Sequence, residues 1–201
     1  EAQRHLAQWT LQPMAEQMAE EATDKLGSTV TLDTLPDAPR ALALEVGPGD
    51  GWLLPELGRH YEQVVALDNA AEMLAQSRRN AFQAGCENIG FIEGDTASPA
   101  LSALHSDLVV INMVLHHTPD PARTMREAAA TLKPGGALLL TELCEHGQGW
   151  ARENCGDLWL GFAPEALEAW AHEVGLHELT GSYLGQRNGF TVQLRLFGTG
   201  A

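Results

Sequence analysis

The chain has 201 residues, with 27 acidic against 12 basic side chains and a formal net charge of −15. That length fits one domain with a sizeable core. A surface this acidic repels a phosphate backbone, which sets nucleic acid aside as a direct partner and favours cationic ligands at long range.

In chain order, residues 3–25 carry Leu6, Trp9, Leu11, Met14 and Met18 among Glu and Gln and read as one or two helices, with Pro13 placed to open the second. Pro36 and Pro39 interrupt any helix ahead of the core. Residues 1–40 are therefore expected to form an N-terminal helical cap and linker, and 41–201 the main domain. The apolar run 41–46 predicts a buried strand, and 51–59 the helix after it. Residues 63–67 predict a second strand ending at Asp68, and 70–84 a helix stopped by Gly85. The third and fourth strands are expected at 88–93 and 107–111. A helix over 121–132 is terminated by Lys133-Pro134-Gly135-Gly136, and 137–142 is the fifth strand. A helix over 161–175 and strands near 178–184 and 190–197 complete the chain. Strands alternating with helices at this rhythm predict an α/β fold, a doubly wound, mostly parallel sheet covered on both faces.

Cys86, Cys144 and Cys155 form no C-x-x-C pair and are odd in number. They argue against a disulfide framework or a zinc site, no metal ligands are assigned, and a reducing cytoplasm is expected. These residues contain neither an apolar run of membrane-spanning length nor a basic-then-apolar leader pattern, so no membrane partner is expected. The sequence opens on Glu1 rather than a methionine, which leaves a preceding module as an expectation.

The most informative stretch is Glu45-Val46-Gly47-Pro48-Gly49-Asp50-Gly51, a glycine-rich turn at the end of a strand. Glycine lets a ligand lie against the main chain, and free N–H groups at the next helix start face it. The G-x-G-x-x-G dinucleotide fingerprint fails at its third position, which holds Trp52, and no Gly-Lys-Ser/Thr is present for a P-loop. Asp68 lies about 20 positions further on, where a carboxylate can grip a ribose diol. Capping the next helix is its competing role, and the two can coexist on Asp68 and Asn69.

Val65-Ala66-Leu67-Asp68 with Met73-Leu74, then Glu93-Gly94-Asp95-Thr96, Val114-Leu115-His116-His117 with Asp120-Pro121, and Leu132-Lys133-Pro134-Gly135-Gly136 follow the glycine turn in order. Together, residues 41–142 resemble the class I S-adenosylmethionine (SAM) dependent methyltransferases of the small-molecule branch. The resemblance implies a Rossmann-like sheet, SAM as cofactor, S-adenosylhomocysteine as product or effector, and a small-molecule acceptor. It implies that the backbone of Gly47-Pro48-Gly49 approaches the methionine part, with Glu45 orienting the loop or the amino group. Asp68 would hold the ribose hydroxyls, and Asn69 and Met73 would line the adenine edge. Of the Gly94-Asp95-Thr96 corner, Asp95 would meet the adenine amino group and the Thr96 N–H the ring. Asn112 would sit near the methionine carboxylate or sulfonium. For each acidic residue alone, a solvated loop or a cap is the competing role.

Methyl transfer from a sulfonium is an in-line displacement, so alignment supplies most of the catalysis and a base is needed only where the acceptor must lose a proton. His116 and His117 are the candidate catalytic residues, since histidine titrates near neutrality. Their competing role is structural, tying the loop to neighbouring backbone. No Asn/Asp-Pro-Pro-Tyr/Phe motif and no Pro-Cys pair occurs, which sets aside base-amine, glutamine and cytosine C5 methylation. The segment His146-x-x-x-Trp150-x-Arg152-x-x-x-Gly156-Asp157-x-Trp159-Leu160-Gly161-Phe162 is similar to one found in methyltransferase-like domains fused behind an ArsR-type winged helix, with Trp9 as a counterpart ahead of the sheet. That similarity implies a second reading, an effector domain sensing SAM or S-adenosylhomocysteine without turnover for a winged-helix module outside this chain. A homodimer is also left open. In this segment His146 and Arg152 are candidates to meet an anionic acceptor. Trp150, Trp159 and Phe162 would shield the site or form a hydrophobic seam, the latter favoured for Trp159 and Phe162.

Overall fold

The computed structural model describes residues 40–187 and 189–200. The expected helical cap and linker over 1–40, Trp9 included, lies outside the described residues except for Arg40. The apolar runs become seven strands: β1 Leu42–Val46, β2 Gln63–Asp68, β3 Ile89–Glu93, β4 Ser106–Asn112, β5 Leu132–Leu143, β6 Leu176–Gly185 and β7 Thr191–Thr199. The α-helices between them are α1 Leu54–His60, α2 Ala71–Gln83, α3 Pro121–Ala129, α4 Trp150–Asn154 and α5 Pro164–Glu173.

The strands form one sheet in the order β3-β2-β1-β4-β5-β7-β6. β1 to β5 run parallel, and β7 is antiparallel to both β5 and β6. After β3 the chain crosses to the far side of β1 to build β4. The switch point between β1 and β4 is where open α/β sheets bind ligands, beyond the carboxyl ends of the strands.

β1 sits at the centre because its residues can be buried on both faces. Ala43 belongs to a core with Leu54, Leu57 and Ala81, while Leu44 and Val46 join the opposite core with Met125, Leu138 and Leu167. Each fully buried leucine is worth roughly 1.5–3 kcal/mol, so such a strand gains most with a helical layer on either side. α3 starts where Asp120 accepts a hydrogen bond from the Arg123 N–H at 3.0 Å and Pro121 takes the first helical turn.

Three element boundaries differ from the sequence expectation, each for a tertiary reason. α1 begins at Leu54 rather than residue 51, because the Gly51 N–H closes a turn onto the Pro48 carbonyl. α3 ends at Ala129, and Lys133 to Gly136 do not serve as its terminator: they already belong to β5. The Thr131 carbonyl accepts from the Ser106 N–H, which draws the chain into the sheet early. α5 begins at Pro164 rather than residue 161, because Phe162 is held to β5 through its N–H on the Leu143 carbonyl.

Asp107, at the entrance of β4, is a clamp for this arrangement. Its Oδ2 accepts the Ala41 and Leu42 N–H groups, each at 2.9 Å, and Lys133 Nζ donates to Oδ1 at 3.0 Å. Asp107→Ala leaves two backbone donors and a half-buried ammonium without this acceptor, at a cost of roughly 2–4 kcal/mol. The expected outcome is a melting temperature lower by about 5–15 °C in a thermal scan. An unchanged midpoint would refute the clamp.

Candidate functional site

The tips of β1, β2 and β3 are stitched together by backbone: the Gly47 N–H donates to the Leu67 carbonyl at 2.8 Å and the Gly94 N–H to the Asp68 carbonyl at 2.9 Å. Gly47 and Gly49 both take left-handed conformations, at φ 67° and 58°. They differ in surroundings. A Cβ on Gly47 would stand 2.5 Å from Val114 Cγ2, whereas one on Gly49 would meet nothing within 4 Å. Gly47 lets the loop close on the segment after β4, and Gly49 leaves an open cradle of main chain.

Glu45 lies one residue before the end of β1, between β2 and β4. Its side chain is buried, and its Oε2 has no hydrogen-bond partner among the described residues. Burial first, and the nearby Asp50 charge second, push its carboxyl up to about 8. An unsatisfied buried acceptor is costly, and a cationic N–H donor is the chemistry that satisfies it. Cradle and orphaned carboxylate together fit the amino-acid end of a SAM-like ligand.

Asp68 ends β2 half-buried, and its Oδ1 accepts the Ala70 N–H at 2.8 Å in a turn ahead of α2; the helix itself is capped by Ala70 without a side-chain bond, so the expected capping by Asp68 or Asn69 is not formed. Burial raises its carboxyl, and hydrogen bonds from Ala70 and Asn69 partly offset this. A carboxylate holds about four acceptor sites, so capacity for hydroxyl donors is left. Asn69 and Met73 follow, exposed, on the same rim. Asp95 is exposed, and its Oδ1 takes the Ala97 N–H at 3.1 Å. The Thr96 hydroxyl donates to Glu127 Oε2 of α3 at 2.7 Å, which commits that side chain to the helix. Asn112 Oδ1 accepts a short hydrogen bond from the Thr141 hydroxyl across β4 and β5.

Sequence reasoning missed Met113, the one non-glycine residue with positive φ (56°) among the described residues. Such strain concentrates where a chain must turn sharply at a site. Here it aims the next residues back over the glycine loop, with Val114 against Gly47.

His116 and His117 occupy a 3₁₀ turn, Leu115–His117. His116 is buried, and its Nδ1 pairs with Glu142 Oε1 of β5 at 2.5 Å, while its N–H donates to Glu142 Oε2 at 3.2 Å. Burial alone would lower the imidazole, but the hydrogen bond and charge of Glu142 leave it raised overall. His117 stacks at a tilt on His116, with centroids 4.1 Å apart, and its side chain is 46% exposed, with one side of the ring against its neighbours and the other open. Burial and the His116 charge hold it below the usual histidine range. His116 thus fills the structural role, and His117 presents a ring to solvent.

The segment after β5 closes on this turn. The Leu158 and Trp159 N–H groups donate to the His116 carbonyl at 2.9 and 3.1 Å, and Trp159 Nε1 donates to the Thr118 carbonyl at 2.9 Å. Phe162 is buried, edge-on to Trp170, which is the seam expected for it; Trp159 remains exposed on its outer face. His146 and Trp150 both stand edge-on to Phe190, and the buried His146 Nε2 lacks a hydrogen-bond partner among the described residues. Arg152 is exposed. Glu142 and Asp157 had no role assigned from the sequence, yet both meet the histidine pair. No local pattern marks them, because their partners are distant in sequence.

The strand order, with a glycine turn at the switch point, is a Rossmann-like arrangement, and known proteins share it. The family model described as a methyltransferase domain matches residues 44–140. The chain is 33% identical over 108 residues to the ubiquinone biosynthesis O-methyltransferase of Serratia proteamaculans, covering 53% of this chain and 44% of that protein. It spans about half the length of the curated relatives it matches. Among solved structures it superposes on a SAM-dependent methyltransferase from Aquifex aeolicus with a TM-score of 0.68 at 16% identity, covering 96% and 97% of the two chains. The N-methyltransferase NodS from Bradyrhizobium japonicum, crystallised with S-adenosylhomocysteine, gives a TM-score of 0.64 at 18% identity, covering 92% and 98%. Residues 44–140 thus match a methyltransferase domain, and the whole described sheet shares its fold with solved SAM-dependent methyltransferases. Among the described residues, no helix is long and apolar enough to cross a membrane.

The buried Glu45 carboxyl gives a pH test. Its folded pKa of about 8 stands above the ordinary 4.5, so its contribution to stability is full below about 4.5 and is lost as pH rises towards 8. The ligand-free protein is expected to lose melting temperature from pH 5 to 8, and Glu45→Gln to flatten that share of the slope. Parallel slopes in the two proteins would contradict it.

Proposed function

We propose that the protein is a methyltransferase that uses SAM to methylate an oxygen of a small-molecule acceptor. The observation that carries the reading is Glu45, a buried carboxylate without a partner beside the open Gly49 cradle. When bound, SAM supplies an electrophilic methyl group on a sulfonium.

The chain's own residues do the rest. Glu45 takes the ligand's ammonium, and the Gly47-Pro48-Gly49 backbone flanks the amino-acid moiety. Asp68 accepts the ribose hydroxyls, Asn69 and Met73 edge the adenine, and Asp95 with the Gly94 and Thr96 backbone meets its polar rim. Asn112, tied to Thr141 at the tip of β4, serves the methionine carboxylate or sulfonium end. His117, with its exposed ring, accepts the acceptor's proton, and His116 acts as a positioning residue through Glu142. Trp150 and Trp159 reduce water at the mouth. The O-methyltransferase name of the curated relatives supports an oxygen acceptor. A family model describing a methyltransferase domain favours turnover over ligand sensing behind a winged helix.

The test is S-adenosylhomocysteine formation from SAM with a panel of hydroxylated small molecules, alongside calorimetry of both nucleosides. Asp68→Ala is expected to weaken both ligands by roughly 10- to 100-fold, the worth of hydrogen bonds to a charged group. His117→Ala is expected to lower kcat by about 100-fold while leaving SAM affinity intact. Tight nucleoside binding with silence across the panel would overturn the catalytic reading, and unaltered affinity in Asp68→Ala the binding one.

A further inference from the structure

We propose that His116, His117 and Asp157 form a binding site for a divalent transition-metal ion, with Glu142 as the outer carboxylate that orients His116. One donor atom from each of the three ligands lies within 4.8 Å of the others. His116 and Asp157 are 5% and 6% exposed, while His117 faces solvent, so the cluster is walled on one side and open on the other.

Asp157 is the feature that asks for a cation. Its carboxylate is withdrawn from water, no Lys or Arg pairs with it among the described residues, and its nearest charged partner is His117 Nδ1 at 3.8 Å. Burying an anion without a close counter-charge is expensive, and a bound cation removes that cost. His116 is prepared to serve as a ligand. Glu142 holds its Nδ1 at 2.5 Å, which leaves Nε2 as the ring nitrogen open to a ligand role once its proton is displaced, the arrangement in which an outer carboxylate fixes the ring of a metal-bound histidine.

The donors are also held together before any ion arrives. His116 and His117 share one 3₁₀ turn. Asp157 is brought to it because the next two residues donate their N–H groups to the His116 carbonyl. Two imidazoles and one carboxylate with an open side suit zinc, cobalt(II), iron(II) or manganese(II) better than the all-oxygen demand of magnesium or calcium. Bonds of about 2.0–2.2 Å require the donors to close by about an ångström, which the exposed His117 ring can supply by rotating.

The site stands on these residues alone. Its consequence for catalysis rests on the methyltransferase reading. An ion would take the His117 lone pair, and an acceptor hydroxyl in an open position would lose its proton to solvent as an ion-bound oxygen rather than to a free imidazole.

The full chain, stripped with a chelator and free of SAM and acceptor, is titrated with cobalt(II) by visible absorption and with zinc(II) by calorimetry. One ion per chain is expected, with cobalt bands of low coordination number. His117→Ala and Asp157→Asn are expected to abolish this binding, and Glu142→Gln to weaken it by roughly 10- to 100-fold. His172→Ala, which alters a separate histidine pair with His177, is expected to leave it unchanged. Absence of a one-to-one site, or binding indifferent to His117→Ala and Asp157→Asn, overturns the proposal whatever the methyl-transfer assay gives.

Discussion

A carboxylate confined inside the sheet at the tip of its central strand is the constraint that the surrounding structure answers to. β1 is covered by both helical layers and flanked by β2 and β4, so Glu45 has neither water nor a neighbouring donor for Oε2. The loop beyond it cannot shift to relieve this. Gly47 is pinned between the Leu67 carbonyl and Val114, and there is no room for a side chain. A buried acceptor held so firmly is a poor feature of a resting fold and a good one for a fold that closes on a cationic group.

The opposite rim is built on a second carboxylate, Glu142, which accepts from the His116 ring, the His116 N–H and the Leu143 N–H. These bonds fix the turn after β4 against β5. The His116 carbonyl then anchors Leu158 and Trp159, so the turn carries the segment that brings Asp157 in. The two rims meet where Val114 touches Gly47. Any movement of the histidine turn is therefore felt at the cradle, and the reverse, through packed side chains rather than through a flexible hinge.

The strands and the glycine turn were legible in the sequence because parallel strands buried on both faces leave continuous apolar runs, and because left-handed turns demand glycine. The positions of Glu45 and Asp68 at strand ends were legible too. The burial that sets the character of Glu45 was not, since it depends on β4, far along the chain. Glu142 reads as the last residue of a strand and Asp157 as one loop acid among many; only the packing of β5 beside β4 gives them partners. The same holds for the boundaries that moved. Lys133-Pro134-Gly135-Gly136 has the composition of a helix stop, yet it lies within β5 as an irregular stretch between the Leu132–Ser106 and Ala137–Leu108 pairs. Thr96 has an apt position, but its hydroxyl faces Glu127 of α3, a residue no local motif connects to it.

The net charge of −15 pointed towards cationic ligands, and the structure relocates the origin of that preference. At physiological ionic strength the field of an exposed acid fades over about 8 Å, so most of the surface sum does not reach the cradle or the histidine turn. What reaches them is local and poorly screened: Asp50, beside a Glu45 carboxyl that ionises most readily when a cation is at hand, at one rim, and Glu142 with Asp157 at the other. In a low-dielectric pocket a few such groups outweigh many solvated ones. Exchanging surface acids for neutral residues should thus alter solubility and encounter rate far more than ligand preference, whereas each buried carboxylate governs the charge its own rim can accept.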